Sequence, residues 1–254
     1  MTHLSLFSGI GGLDVAAQWA GFQTVGLCEY ADYPYRVLQK RFPGVPIWRD
    51  IRTLTGEDFY EQTGLRTVDV VSGGFPCQPF SAAGKRLGKD DDRYLWPEMC
   101  RVISEIRPAW VIGENVSGLV RSVLDEILDD LEEAGYAARA YAFKACEAGA
   151  LFAGERIAVV AASNDRSAAL RRDAQFPADD GAAGRGNYYR GGAPEFDAGQ
   201  WRTLESRPYG VADGIPHRVD RLKCLGNAVA PAQFYPIFTA IAEAAEDGKN
   251  EKRN

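Results

Sequence analysis

His3-Leu4-Ser5-Leu6-Phe7-Ser8-Gly9-Ile10-Gly11-Gly12-Leu13 is a short apolar run that breaks into glycines and then continues with helical period. A strand followed at once by a glycine-rich turn and a helix aims backbone amides at whatever lies beyond the strand's C-terminal edge. Glycines at 9, 11 and 12 suit NAD, FAD, a nucleotide or S-adenosylmethionine alike, and Gly-x-Gly-Gly departs from the dinucleotide pattern Gly-x-Gly-x-x-Gly. The same alternation of short apolar runs and helical stretches recurs to about residue 162, which predicts a sheet wound with helices. Strands are expected at His3 to Phe7, Thr24 to Glu29, Val68 to Ser72, Trp110 to Glu114, Ala137 to Phe143 and Ile157 to Ala162. Helices are expected over 31–42, closed by Pro43-Gly44, over 120–134, stopped by Gly135, and over 231–245.

With 254 residues, 46% hydrophobic and 25% charged, the chain is long enough for one large domain and unlike a disordered or low-complexity protein. No apolar run reaches the roughly 18 residues that span a bilayer, and the start lacks a basic region followed by an apolar signal core, so a cytoplasmic protein without a membrane partner is expected. Five cysteines without a Cys-x-x-Cys pair, and two histidines, argue against a zinc knuckle or a disulfide framework; no metal is expected. The net charge of −6 does not advertise nucleic acid, so binding a polyanion would need a local basic patch. From 163 to 216 the composition shifts to eight glycines, seven arginines, no lysine and aromatics without period, the pattern of an insertion.

Glu29 closes the second strand, where a carboxylate can accept from both hydroxyls of a ribose; Asp50 follows Trp48-Arg49 where a third should end. Taken singly, each acid serves equally well as a helix cap or a solvated turn. More decisive is Gly73-Gly74-Phe75-Pro76-Cys77-Gln78-Pro79-Phe80-Ser81, directly after the apolar strand 68–72. Two prolines around Cys-Gln hold the backbone extended and fix one thiol at the sheet edge where α/β sites form. A Cys-His hydrolase would need a base, and the one candidate, His217, lies among Arg218, Asp220 and Arg221, as in a surface turn. Trp110-Val-Ile-Gly-Glu114-Asn115-Val116 ends an apolar run in a carboxylate, which burial would keep protonatable, and by chain order its strand is expected near that of Cys77, so that thiol and carboxyl face one another across the strand ends.

Four stretches in order resemble the DNA cytosine-5 methyltransferase family. Phe7 to Leu13 is similar to its methyl-donor loop, Gly74 to Ser81 to its nucleophile motif, Gly113-Glu114-Asn115-Val116 to its Glu-Asn-Val motif, and Leu222-Lys-Cys-Leu-Gly226-Asn227-Ala228-Val229 to its C-terminal Gly-Asn-Ala motif. The resemblance implies an α/β fold of the S-adenosylmethionine-dependent, Rossmann-like kind: a mixed, mostly parallel sheet with helices on both faces, plus a small target-recognition insertion. It implies a catalytic domain over 1–162 and 217–246, with the C-terminal helix returning to the donor site, target recognition by 163–216, and a frayed tail at 247–254. Cys77 would be the nucleophile, Glu114 the proton donor and Arg156 the contact to the base carbonyl. Phe7, Ser8, Gly9, Gly11, Gly12, Leu13, Glu29, Asp50, Ile51, Pro76 and Asn227 would hold S-adenosylmethionine. Gln78, Ser81, Lys85, Arg86 and Lys89 would meet double-stranded DNA, with the chain acting as a monomer. One departure stands out: where the family carries Gln-x-Arg-x-Arg, this chain has Phe152-x-Gly154-x-Arg156, so only the last arginine remains. Two other readings stay open: a tRNA cytosine-5 methyltransferase, whose motif has a second proline where Phe75 stands, and a catalytically idle DNA-binding relative.

Overall fold

The structure, a computed structural model, describes residues 1–76, 94–149, 154–166 and 217–251. In chain order it comprises β1 (Thr2–Leu6), α1 (Gly12–Trp19), β2 (Gln23–Cys28), α2 (Asp32–Arg41), β3 (Ile47–Trp48), α3 (Gly56–Thr63), β4 (Val70–Gly73), α4 (Trp96–Ile106), β5 (Trp110–Val116), α5 (Ser117–Glu133), β6 (Tyr136–Lys144), β7 (Glu155–Ser163), α6 (Arg218–Asn227) and α7 (Pro231–Glu251). The strands form one seven-stranded sheet in the order β3-β2-β1-β4-β5-β7-β6. β1 to β5 pair in parallel, and β7 runs antiparallel to both β5 and β6. The sheet is therefore mixed and mostly parallel. Strand order reverses at β1, and the crevice beside its C-terminal end is where ligands settle in such sheets.

Period-two alternation sends neighbouring side chains to opposite faces. On β5, Trp110 and Ile112 pack toward α1 and α7, with Phe234, Ile237 and Phe238; Val111 packs toward α3, α4 and α5, with Phe59, Met99, Ile103 and Ile127. Both faces are thus covered by helices. The chain signals that begin and end these helices are local: Thr55 accepts from the Asp58 N–H at the start of α3, and Gly64 at φ 72 ends it. Free thiols stand at Cys28, Cys100, Cys146 and Cys224. No helix among the described residues is long and apolar enough to cross a membrane.

The final helix continues to Glu251, beyond the expected end at 245 and into the stretch expected to fray. Residues 246–251 carry no proline and one glycine, Gly248, which costs about 1 kcal/mol in a helix and does not force a stop. The insertion expected at 163–216 lies almost wholly outside the described residues; within them, β7 ends at Ser163 and a 3₁₀ turn follows over Asn164–Arg166.

Under the start of α1, the core holds a polar cluster. His3 and Asp14 are both fully buried. His3 Nε2 lies 2.7 Å from the Ser72 hydroxyl and Nδ1 3.1 Å from that of Thr24; Ser5 donates to Asp14 at 3.0 Å. Burial pushes the Asp14 carboxyl up to about 7 and the His3 imidazole down to about 3. Between pH 4 and 7 an unfolded chain loses the Asp14 proton while the folded one keeps it, so this group's contribution to stability falls as pH rises and levels off above 7. His3 works in the other direction: its contribution falls as pH drops from 6.5 to 3. In Asp14→Asn the first loss is absent. Urea unfolding at pH 4.5 and 7.5 is expected to show the variant gaining about 3 kcal/mol on the parent between the two pH values. A gap that does not change with pH would place the Asp14 titration elsewhere.

Candidate active site

The C-terminal ends of β1 to β5 open onto a cleft of about 790 Å³. Its floor is the turn between β1 and α1. Phe7 and Gly9 take left-handed backbone, φ 52 and 55, and Gly11 follows at φ 87. The Ser8 N–H donates to the Cys28 carbonyl (3.0 Å) and the Gly9 N–H to Glu29 Oε2 (2.8 Å), which fastens the turn to the end of β2. Glu29 Oε1 accepts from the Ala31 N–H at 2.8 Å. Burial raises this carboxyl's pKa, against the Ala31 and Gly9 N–H groups and the Arg49 charge, which lower it. Each carboxylate oxygen keeps lone-pair capacity for a further donor, such as a ribose hydroxyl.

Phe7, Ser8, Gly9, Gly12, Leu13, Glu29, Asp50, Ile51, Pro76 and Asn227 all line the cleft. Gly11 does not. Its N–H donates to the Ser8 carbonyl, and a Cβ there would meet the Phe42 ring at 3.2 Å, so it shapes the turn from behind the wall. Asp50 caps the 3₁₀ turn Ile51–Thr53 through the Arg52 N–H while also facing the cleft, so the cap and lining readings hold together. Sequence reasoning missed Tyr30, a ring 75% exposed on the wall beside Glu29, and Arg49, held by the Tyr30 carbonyl (2.8 Å) and Asp32. An aromatic next to a strand-end carboxylate was the available signal for Tyr30. Lys223 and Cys224, on the α6 face that closes the cleft, lie within the stretch 222–229 that resembles the C-terminal motif, although of that stretch only Asn227 was expected at the site.

The C-terminal chain returns to the turn between β1 and α1. A Cβ on Gly12 would lie 2.7 Å from the Val229 carbonyl oxygen and 2.9 Å from its Cγ2, so glycine is required by a close backbone approach. Gly12→Ala at a helix start would ordinarily gain stability; here it is expected to lower it by about 1–3 kcal/mol, read as a lower unfolding midpoint in urea. A neutral or stabilising result would mean that residues 228–230 do not sit against the turn.

On the far rim β4 and β5 lie side by side, Gly73 paired with Gly113. Beyond β4 the chain runs past Glu114 so closely that a Cβ on Gly74 would fall 2.6 Å from Glu114 Oε2. Phe75 is buried against Trp96 (5.1 Å between rings), and its carbonyl accepts from Asn115 Nδ2 at 2.9 Å. Glu114, 9% exposed, faces Arg156 across the β5–β7 pair, with Nε 2.8 Å from Oε1. The Nε–H is not aligned as a hydrogen bond, so the contact is one of charge. Burial raises the Glu114 carboxyl to about 7, with Arg156 opposing. Such a carboxyl holds or yields a proton near neutrality. Cys77, Gln78, Ser81, Lys85, Arg86, Lys89 and Phe152 lie outside the described residues.

Residues 1–184 match the family model described as C-5 cytosine-specific DNA methylase. The chain is 41% identical over 138 residues to the Type II methyltransferase M.PspPI of Psychrobacter sp. (strain TA137), covering 52% of this chain and 32% of that protein. It is 32% identical over 169 residues to the Type II methyltransferase M.NgoMIV of Neisseria gonorrhoeae, covering 65% and 52%. The chain thus spans about a third to a half of the length of these relatives. Among solved structures, a putative DNA modification methyltransferase encoded within a prophage of E. coli shares the fold with a TM-score of 0.59 at 24% identity, covering 70% of this chain and 51% of that one. The glycine turn fastened to Glu29, the returning C-terminal chain and the Glu114–Arg156 pair are the framework over which that family match runs or which it adjoins, and the chain belongs to the C-5 cytosine-specific DNA methylase family.

Proposed function

We propose that the chain transfers a methyl group from S-adenosylmethionine to carbon 5 of a flipped cytosine in double-stranded DNA, through a covalent Cys77 adduct. The observation that carries this reading is the Glu114–Arg156 contact on the rim of the cleft, beside the Gly74-Phe75-Pro76 backbone that leads to Cys77. The cleft suits the donor. Its volume lies in the range of small-ligand sites, Phe7, Leu13 and Ile51 offer apolar wall, Glu29 offers acceptors for a diol, and Tyr30 offers a ring face. S-adenosylmethionine, when bound, supplies a methyl group on a positive sulfonium.

Cys77 adds its thiolate to carbon 6 of cytosine, which turns carbon 5 into the nucleophilic end of an enamine. Glu114 donates or shares a proton at ring nitrogen 3, and Arg156 contacts the carbonyl oxygen, so both meet charge that builds on the ring as sulfur adds. After methylation the carbon 5 proton leaves to water, the carbon–sulfur bond breaks, and 5-methylcytosine and S-adenosylhomocysteine are released. A stacked base covers its own face, so the cytosine is taken out of the duplex at a cost of a few kcal/mol. Residues 1–162 and 217–246 would form the catalytic domain and act as a monomer; residues 163–216 would read the target, with Gln78, Ser81, Lys85, Arg86 and Lys89 on the DNA. A reading segment that short fits a site of about two to four base pairs containing guanine, since bidentate arginine contacts favour guanine.

Plasmid DNA and a tRNA transcript, each incubated with labelled donor and then sequenced after bisulfite conversion, test the proposal. Label in DNA at one short cytosine-containing site is expected. Label in tRNA alone would replace the substrate, and label in neither would leave an idle relative.

A further inference from the structure

Gln233 stands in the first turn of α7 and is 4% exposed. Its side-chain Nε2 donates to two carbonyls, those of Phe143 and Gly154, both at 3.0 Å. These carbonyls face each other across the open end of the β6–β7 pair. Phe143 is in register with Arg156 and Lys144 with Glu155, and the Ala145 N–H donates to the Gly154 oxygen at 3.2 Å. A buried amide with both hydrogens committed to backbone two positions from Arg156 fixes where β7 begins. Gly154, at φ 36, brings no side chain of its own to this place, although it occupies the position where the family pattern has an arginine. Support for the strand start therefore comes from a helix nearly 80 residues further on.

We propose that Gln233 is a positioning residue: by clamping Phe143 and Gly154 from α7 it holds Arg156 against Glu114. Loosening the clamp lets the start of β7 shift, and the charge contact across β5 and β7 lengthens. Among the described residues, Arg156 on β7 is the charge that acts on Glu114, while β4 faces it with the backbone of Gly74. The inference rests on the proposed function only for its consequence in catalysis; the contact itself can be read without turnover.

The test uses the full chain, free of DNA, labelled with glutamate enriched at the carboxyl carbon and titrated by NMR, the Glu114 signal being assigned by its loss in Glu114→Gln. Removing Arg156 in Arg156→Met is expected to raise the Glu114 midpoint by about one to three pH units, since an opposite charge at this distance lowers a carboxyl by that much. Gln233→Met, of similar volume but without donors, is expected to raise it by about one pH unit. The double variant should sit no higher than Arg156→Met alone. Gln233→Asn keeps an amide too short to span both carbonyls and should fall between the parent and Gln233→Met, which gives a reading even if the methionine variant does not fold. A Gln233 variant that melts earlier yet leaves the Glu114 midpoint where it was would reduce Gln233 to packing and overturn the proposal. So would an unmoved midpoint in Arg156→Met. Neither result touches the methylation assay, so the two readings fail separately.

Discussion

Cys77→Ser is expected to lower turnover on DNA by at least about 10⁴-fold, the scale on which removing a covalent nucleophile acts, while leaving affinity for S-adenosylhomocysteine within about twofold. The two halves follow from different parts of the molecule. Addition to carbon 6 needs a thiolate, which is a minor but real species at neutral pH, whereas a serine alkoxide is scarcer by many orders of magnitude. The cleft proposed for the donor is built from other residues: the turn over Phe7 to Leu13 fastened by Glu29, the wall from Asp50 and Ile51, and the α6 face. Calorimetry with S-adenosylhomocysteine and a labelled-methyl assay on the same preparation read both halves. Activity in the serine variant within tenfold of the parent would remove Cys77 from the role of nucleophile. Loss of both together would show that residue 77 supports the cleft rather than the reaction.

What could be read in advance divides along physical lines. The strand ends and the glycine turn were legible because each depends on local pattern: period-two apolar runs, and glycine where φ turns positive, as at Gly9 and Gly11. That the strand leading toward Cys77 lies beside the strand of Glu114 was legible from chain order, and β4 pairs with β5 in parallel with Gly74 against Glu114, while Cys77 itself lies outside the described residues. Contacts between distant segments were not legible. His3 and Asp14 gave no sequence signal because a buried polar pair depends on which face of β1 meets α1, and the pairing of His3 with Ser72 spans 69 positions. Gln233 was equally silent, as one polar residue in an amphipathic helix reads as solvated until the helix is seen against β6 and β7. The reach of α7 to Glu251 was not legible either, because the polar residues 246–251 continue no apolar period and yet contain no proline to break the helix.

Glu114→Gln is expected to lower the methyl-transfer rate constant by about 10²–10⁴-fold, the usual worth of a positioned general acid, with DNA affinity changed by less than about threefold. Glutamine keeps the length and the acceptor oxygen of the side chain but has no acidic proton to give. The pH profile separates this role from a structural one. Because burial holds the Glu114 carboxyl at about 7, against the pull of Arg156, the protonated fraction falls as pH rises through neutrality. The single-turnover rate in the parent should therefore carry a falling limb above pH 7, set against the rising fraction of thiolate, which Glu114→Gln retains. In Glu114→Gln that falling limb should be absent, since no group at this position titrates. The packing argument predicts a companion result at the neighbouring glycine: in Gly74→Ala a Cβ would lie 2.6 Å from Glu114 Oε2, so the carboxyl must turn aside and the falling limb should move rather than vanish. A Glu114→Gln profile that keeps the parent's limb at a reduced rate would assign the titration to another group and leave Glu114 with a hydrogen-bonding role alone.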